Sequence, residues 1–234
     1  MPTYIKRHLR SLAVPRTWPV PRKSRGYWIV KPSPGPHSKE FAMPIAVWLR
    51  DYLGLAENMR EVRYLLNNGK VLVDGRPIKD YKFPVGLFDV LAIPEINEYY
   101  RVLLDERGKL YLKKIDKEEA NIKYGKIIRK VSVRGGKIQY TLTDGRTFLG
   151  DNSYKTHYGV VYEIPNFKIR EVIPLEKDRK AYIIRGKHTG RIGVIKEVIK
   201  TDMPWPNIVR LEVAGEVGET WLDNIIPVPE NFEA

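Results

Sequence analysis

Apolar positions recur along this chain with two different periods, and each period predicts its own kind of element. From Pro44 onward, Ile45, Trp48, Leu49, Tyr52 and Leu53 fall at i, i+3, i+4, i+7 and i+8, one apolar stripe on a helix that Gly54 closes. A second helix is expected to begin at Asn58, a good N-cap, with Glu61 three residues on as in a capping box. Met59, Val62, Leu65 and Leu66 form its buried side, and Gly69 ends it. The period then drops to two. "KVLVDGRPI" turns Val71 and Val73 inward and reverses at Asp74-Gly75, and "FDVLAI" completes a compact helix-helix-strand module near Pro94.

Residues 96 to about 175 read as all-β. "YYRVLLD" and "LYLKKI" flank Glu106-Arg107-Gly108, "IIRKVSV" and "KIQYTLT" flank Arg134-Gly135-Gly136, and Asp144-Gly145 turns again before "TFLG". A small barrel or sandwich is predicted, with a helical turn at "EEANIK". The last stretch supplies "AYIIR", "RIGVIKEVI", "NIVRLEV" and "TWLDNIIPV", lengths suited to a five-stranded barrel of the SH3 type. The expected class is therefore α+β and multidomain: a basic, proline-rich extension (1–42), a helical module (43–95), a central β domain (96–175) and a C-terminal barrel with an acidic tail (176–234).

Charge changes this picture. The 234 residues carry 41 Lys and Arg against 28 Asp and Glu, a net +13 that points to a polyanionic partner. The excess is concentrated at the start: no acidic residue precedes Glu40, while Lys6, Arg7, Arg10, Arg16, Arg22, Lys23, Arg25, Lys31 and Lys39 do. After Arg210 the sign reverses, and Glu212, Glu216, Glu219, Asp223, Glu230 and Glu233 follow without a single Lys or Arg. Six prolines between Pro15 and Pro36 prevent a long helix in the leader. Its aromatics, Tyr4, Trp18, Tyr27 and Trp28, are interleaved with the cations, a mixture in which ammonium and guanidinium groups contact phosphate and rings stack on bases; a flexible tail, or an extension packing its aromatics on its own domains, is the other reading. Removing residues 1–39 should accordingly weaken RNA binding and reduce its salt dependence.

The module carries cations too. Arg60 and Arg63 lie three apart on one helical face, Asn67 follows on the same helix, Lys70 comes just after its glycine stop, and Arg76, Lys79 and Lys82 occupy the hairpin segment. Rigid guanidinium forks on a helix, with Lys and backbone N–H groups from the turn, would make a phosphate grip; a solvated basic face is the other reading of the same residues.

"IIRGKHTGRIGVIKE", Ile183 to Glu197, looks at first like a nucleotide loop. A phosphate loop needs a Gly separated by four residues from its Gly-Lys pair and a Ser or Thr after it, where this chain has Ala181 and His188. The following "VIKEVI" is strand-like, and the Gly-x-x-x-Gly-x-x-Gly spacing fails the dinucleotide fingerprint. The glycines are read instead as a strand-turn-strand element, with Gly186 and Gly190 at positive φ or in close packing and Gly193 allowing a tight strand crossing. Lys187, His188 and Arg191 are expected at the loop tip.

Cysteine is absent, which removes disulfides, thiolate metal sites and cysteine nucleophiles. A single Gln beside many charges suggests a thermophilic source. No apolar run approaches the roughly 18 residues of a membrane span, and the N-terminus lacks a secretion signal's apolar core. A cytoplasmic protein without cofactor, metal, catalytic residue, membrane partner or small-molecule substrate is expected.

"NMREVRYLLNNGKVLVDGRPIKDYKFPVGLFDVLAI", with Arg60 and Arg63 on the helix, then Gly69-Lys70-Val71, Val73-Asp74-Gly75, Gly86 and Asp89-Val90, resembles the small RNA-binding domain named after bacterial ribosomal protein S-four. The glycine stretch resembles the KOW motif. The order of the parts resembles the S-four-e family of ribosomal proteins, of the archaeal type because no long basic C-terminal extension follows. That likeness rests on "RHLRSLAVPRTW" with His8-Leu9, Pro15 and Trp18, on "GPH" at Gly35–His37, on the module, on Gly190-Arg191-Ile192-Gly193-Val194-Ile195, and on Asn224-Ile225. It implies a non-catalytic constituent of the small ribosomal subunit, bound to the 5′ region of its RNA and to neighbouring proteins. The implied RNA contacts are Lys6, Arg7, His8, Arg10, Arg16, Trp18, Arg22, Lys23, Arg25, Lys31, Arg60, Arg63, Asn67, Lys70, Arg76, Lys79, Lys82, Lys187, His188 and Arg191. Two alternatives share these parts. A KOW-containing transcription or RNA-processing factor would travel with RNA polymerase. An RNA-modifying enzyme such as a pseudouridine synthase would need a further domain with an Asp nucleophile, for which no segment is spare.

Overall fold

The computed structural model describes residues 8–21, 26–202 and 205–233. The chain divides into two compact units, one of Met1–Val102 with Lys109–Ala120, the other of Leu103–Gly108 with Asn121–Ala234. Strands dominate both, with few helices, as an α+β chain of several sheets requires.

In the first unit the leader forms a short ribbon, β1 (Leu9–Arg10) against β2 (Trp28–Ile29). The strand β3 (Ala42–Pro44) then leads into α1 (Ile45–Val47) and a π-type turn, Trp48–Tyr52. The predicted stripe is present, since Ile45, Trp48 and Leu49 are wholly buried, but the second half of the helix is wound wider than expected: Leu53 N–H bonds the Trp48 carbonyl five residues back. Trp48 finds a polar partner in this setting, donating its indole N–H to Val85 O at 3.3 Å.

The helix α2 (Met59–Asn67) begins and ends as its sequence dictates. Asn58 Oδ1 accepts from the N–H groups of Arg60 (2.9 Å) and Glu61 (3.2 Å). Glu61 completes the cap differently from a standard box, reaching the Glu57 N–H (2.7 Å) and the Asn58 side-chain amide (2.6 Å). At the other end Gly69, at φ 69°, bonds Leu66 O while Lys70 N–H bonds Leu65 O, the paired closure of a Schellman motif.

The hairpin β4 (Leu72–Val73) and β5 (Arg76–Pro77) turns on Asp74 and Gly75, both at positive φ. Then come β6 (Pro84–Gly86), β7 (Val90–Ile93), β8 (Glu98–Leu104) and β9 (Leu110–Lys114). β6 pairs with β3, and the main sheet runs β5-β4-β7-β8-β9. The division expected at residue 96 is therefore not where the sheet ends: β7 hydrogen-bonds β8 from Val90↔Arg101 to Ile93↔Glu98, which carries the module's sheet onward.

The leader is not a free arm over its described residues. Trp18 is buried, with 2% of its surface exposed, and donates its indole N–H to Lys39 O at 3.0 Å. Thr17 O accepts from Leu110 N–H (2.7 Å). His37 lies against Gly86 so closely that a Cβ there would stand 2.5 Å from its ring, and its Nε2 meets Asp89 Oδ1 at 2.8 Å, while Asp89 Oδ2 accepts from Gly86 N–H. A glycine at 86 and the "GPH" of the leader are thus one packing arrangement.

The second unit holds two antiparallel five-stranded sheets. One consists of β10 (Ile122–Ser132), β11 (Ile138–Leu142), β12 (Thr147–Gly150), β13 (Gly159–Glu163) and β14 (Lys168–Ile173) in the order β12-β11-β10-β13-β14. β10 serves both halves, pairing through Lys126 with β13 and, past a bulge at Ile127/Arg129, with β11. The other comprises β15 (Lys180–Ile183), β16 (Ile192–Ile199), β17 (Ile208–Val213), β18 (Glu216–Trp221) and β19 (Ile225–Pro227), ordered β18-β17-β16-β15-β19, the five strands expected of the barrel. Alternate residues, among them Ala181, Ile183, Ile195, Val209, Leu211 and Val213, fill its core. Lys126 is buried beside it, donating from Nζ to the carbonyls of Leu222 (3.2 Å), Asp223 (3.0 Å) and Ile225 (2.9 Å).

Candidate nucleic-acid interface

On the first unit, α2 displays Arg60, Arg63 and Asn67, all exposed, along one outward stripe at i, i+3 and i+7. The capped ends hold this stripe rigidly. Beside it, Tyr81 carries two cations on its ring: Arg63, with its guanidinium carbon 4.9 Å from the centroid, and Lys82, with Nζ at 5.5 Å. Arg76 and Lys79 are exposed in the same segment. Lys70 is placed at the helix end but is engaged, 3.1 Å from Glu95 and over the Tyr64 ring at 5.7 Å. An exposed pair of this kind is worth about 0–1 kcal/mol, so a phosphate can exchange for the carboxylate.

In the leader, Arg10 lies over Tyr27 (5.1 Å), His8 beside Trp28 (5.4 Å), and Tyr27 meets Trp28 edge to face at 4.6 Å. Tyr27 and Trp28 are 53% and 55% exposed, leaving ring faces open to solvent in a cluster of cations. Arg16 is exposed and Lys31 half-buried. Burial, and then the ammonium of Lys31, lower the pKa of Lys39 below that of an ordinary lysine, a sign of crowded positive charge. Lys6, Arg7, Arg22, Lys23 and Arg25 lie outside the described residues.

Trp18 departs from its expected role. Its buried ring has no face left for a base, and its indole N–H instead ties the two ends of the described leader together by bonding Lys39 O. The signal missed was partnership at long range: Arg63 and Tyr81 are 18 residues apart, and only folding shows that the Tyr81 ring sits beneath the helix's cation.

The loop in the second unit is organised by its glycines. Gly186 and Gly190 have φ of 112° and 80°, and a Cβ on Gly190 would lie 2.6 Å from Leu104 O. Gly193, with ordinary φ, packs under β17, where a Cβ would stand 2.9 Å from Val213 Cγ2. Of the three side chains expected at the tip, Lys187 is exposed, His188 is half-buried against Gly218, and Arg191 pairs with Glu106 at 3.2 Å. The outward face of the barrel is a poorer phosphate surface: Arg210 is held between Glu219 (2.7 Å) and Glu197 (3.0 Å). Among the described residues no group of three or more His, Asp or Glu is placed to hold a metal ion, and no helix is long and apolar enough to cross a membrane.

Four family models tile the chain: the RS4NT (NUC023) domain over residues 3–40, the S4 domain over 43–91, Ribosomal family S4e over 96–169 and the KOW motif over 177–212. The "Small ribosomal subunit protein eS4" of Methanothermobacter thermautotrophicus is 45% identical over 93% of this chain and 88% of its own length. The chain belongs to the S4e family. It is of the archaeal type, since the eS4 protein of Archaeoglobus fulgidus is also 44% identical, over 89% of this chain and 87% of the relative. A crystal structure of the 30S ribosomal protein S4e from Thermoplasma acidophilum superimposes with a TM-score of 0.70 at 34% identity, covering 81% of this chain and 96% of that one. In this S4e chain the S4-domain match contains the stripe of α2, and the KOW match contains the glycine loop.

Proposed function

We propose that this S4e chain is a structural constituent of the small ribosomal subunit, binding small-subunit ribosomal RNA in its 5′ region, beside neighbouring small-subunit proteins, and supporting its folding in the cytoplasm. The observation that carries the reading is the stripe of Arg60, Arg63 and Asn67 on a helix capped at both ends, with Tyr81 supporting Arg63 and Lys82. Rigid guanidinium forks suit phosphate oxygens held in a fixed RNA shape, and the exposed Tyr27 and Trp28 suit an unstacked base. The work done is positioning and charge neutralisation, with counterion release as the driving term and no turnover.

The test is RNA binding by Arg60→Ala/Arg63→Ala. Each charge-assisted hydrogen bond to phosphate is worth about 1.5–3 kcal/mol, so affinity for small-subunit RNA should fall at least 100-fold. The slope of log K against log salt should shrink by roughly 0.7–0.9 for each phosphate that is no longer neutralised. Melting should change little, because both side chains are exposed and only the Arg63–Tyr81 contact, about 0.5–1 kcal/mol, is lost. Unchanged affinity would refute the grip. Sedimentation with the small subunit in high salt, rather than with RNA polymerase, separates this reading from a transcription factor.

A further inference from the structure

Between the leader and the π-type turn lies an open cavity of about 550 Å³ whose walls include Ser11, Trp28, Arg50, Asp51 and Glu57. Its chemistry is mixed in an informative way. Trp28 offers a broad apolar face, 55% exposed. Arg50 and Asp51 are locked together, Nε to Oδ1 at 3.0 Å and Nη2 to Oδ2 at 2.8 Å, which fixes both groups and leaves the second terminal nitrogen of the guanidinium outside that fork. Glu57 adds an exposed carboxylate on a backbone whose N–H is bound to Glu61.

Carboxylates repel phosphate, so a cavity walled by them does not hold an RNA backbone. They do accept hydrogen bonds from the edge of a base. The rim supplies what the backbone needs, with Arg10 over Tyr27 and His8 tilted against Trp28 in a leader that has no acidic residue before Glu40. We propose that this cavity receives a single unstacked guanine of the bound RNA, stacked on Trp28 and read on its Watson–Crick edge. Guanine alone among the four bases presents two adjacent donors there, N1–H and the N2 amino group, matching the two oxygens of one carboxylate, Glu57. Its O6 acceptor matches the remaining guanidinium N–H of Arg50. Adenine and cytosine present one amino donor beside an acceptor, and uracil one imino donor between two acceptors, so each leaves a carboxylate oxygen unmatched.

This inference rests on the RNA-binding reading and names the base that one part of it would recognise. The test measures fluorescence anisotropy of end-labelled oligouridine decamers carrying one central guanosine, inosine or adenosine, with the full chain. Inosine differs from guanosine only by the missing N2 amino group. Wild type should prefer guanosine over inosine about tenfold. Trp28→Ala should weaken the guanosine decamer roughly tenfold, in the range found when a stacking aromatic is removed. Glu57→Gln should abolish the guanosine preference while leaving inosine binding in place, and its exposed position makes misfolding no explanation. Arg60→Ala/Arg63→Ala should lower all three affinities and preserve their ratio. Equal affinity for the three decamers on wild type, or a guanosine preference that survives both Trp28→Ala and Glu57→Gln, overturns the proposal while the RNA-binding reading stands. Failure of wild type to bind any RNA sinks both. A Lys/Arg-rich decapeptide that binds wild type, binds Trp28→Ala more weakly and displaces none of the decamers would assign the cavity to a protein segment and also overturn it.

Discussion

Gly190→Ala adds one methyl group in the loop before β16, and the structure separates its two effects. The residue has φ of 80°, where an alanine is disfavoured by about 1–2 kcal/mol. The new Cβ would also lie 2.6 Å from both Leu104 O and the Asp105 carbonyl carbon, close to an ångström inside ordinary van der Waals separation. Those neighbours are backbone and cannot swing aside as a side chain would, so overpacking should add about 1–3 kcal/mol. Gly215, in the turn between β17 and β18, is the matched control: its φ is 87°, but nothing lies within 4 Å of an added Cβ. Gly215→Ala should therefore lose only the backbone part, about 1–2 kcal/mol, and Gly190→Ala about 2–5 kcal/mol in all. Urea unfolding followed by circular dichroism of the strands reads the difference, since Gly190 and Gly215 lie in the same unit. Stabilities for the two variants that agree within about 0.5 kcal/mol would refute the close approach, and with it the reason this loop carries a glycine at 190.

Three further outcomes are expected. Trp18→Ala should destabilise the first unit by about 3–5 kcal/mol, the usual loss for a buried large aromatic, seen as a lower melting temperature. Burial lowers the pKa of Lys126 from 10.5 to about 8, against a smaller opposing pull from Asp223. An unfolded lysine therefore holds its proton up to pH 10.5 while the folded one releases it near 8, so the penalty of the buried charge is present below pH 8 and relieved as pH rises between the two. The stability of wild type minus that of Lys126→Met should accordingly rise by up to about 3 kcal/mol between pH 8 and 10.5 in denaturant titrations; a flat or falling difference would mean that the three carbonyls hold the ammonium against burial. Asp89→Asn should loosen the leader at His37, detected as faster amide exchange around Gly86, whose N–H bonds this carboxylate.

Local chemistry made much of the fold legible. The α2 termini follow from Asn58, Glu61 and Gly69, the hairpin from Asp74-Gly75, and the barrel from four apolar alternations whose turns the glycines mark. Each depends on residues a few positions apart, which a linear reading can see. Where the leader attaches was not legible, because Gly35 and His37 find Pro84, Gly86 and Asp89 across about fifty residues and leave no periodic trace. For the same reason Trp18 reads as one more aromatic among cations until its burial is known. The winding of Trp48–Tyr52 escaped too, since an apolar stripe fits an α-turn and a π-turn alike. In the candidate interface the cations of α2 were predictable from charge and spacing, whereas the carboxylates that engage Lys70 and Arg191, Glu95 and Glu106, lie far along the chain from them.

The buried indole of Trp18 also decides how the leader can be studied. Cutting off the first 39 residues would remove that indole together with the Lys39 carbonyl it binds, and would strip His37 from Gly86 and Asp89 along with the cations. Weaker RNA binding by such a fragment would therefore mix damage to the module with loss of charge. A point exchange that spares Trp18, Gly35 and His37, such as Arg16→Gln at an exposed position, keeps the fastening and changes the electrostatics.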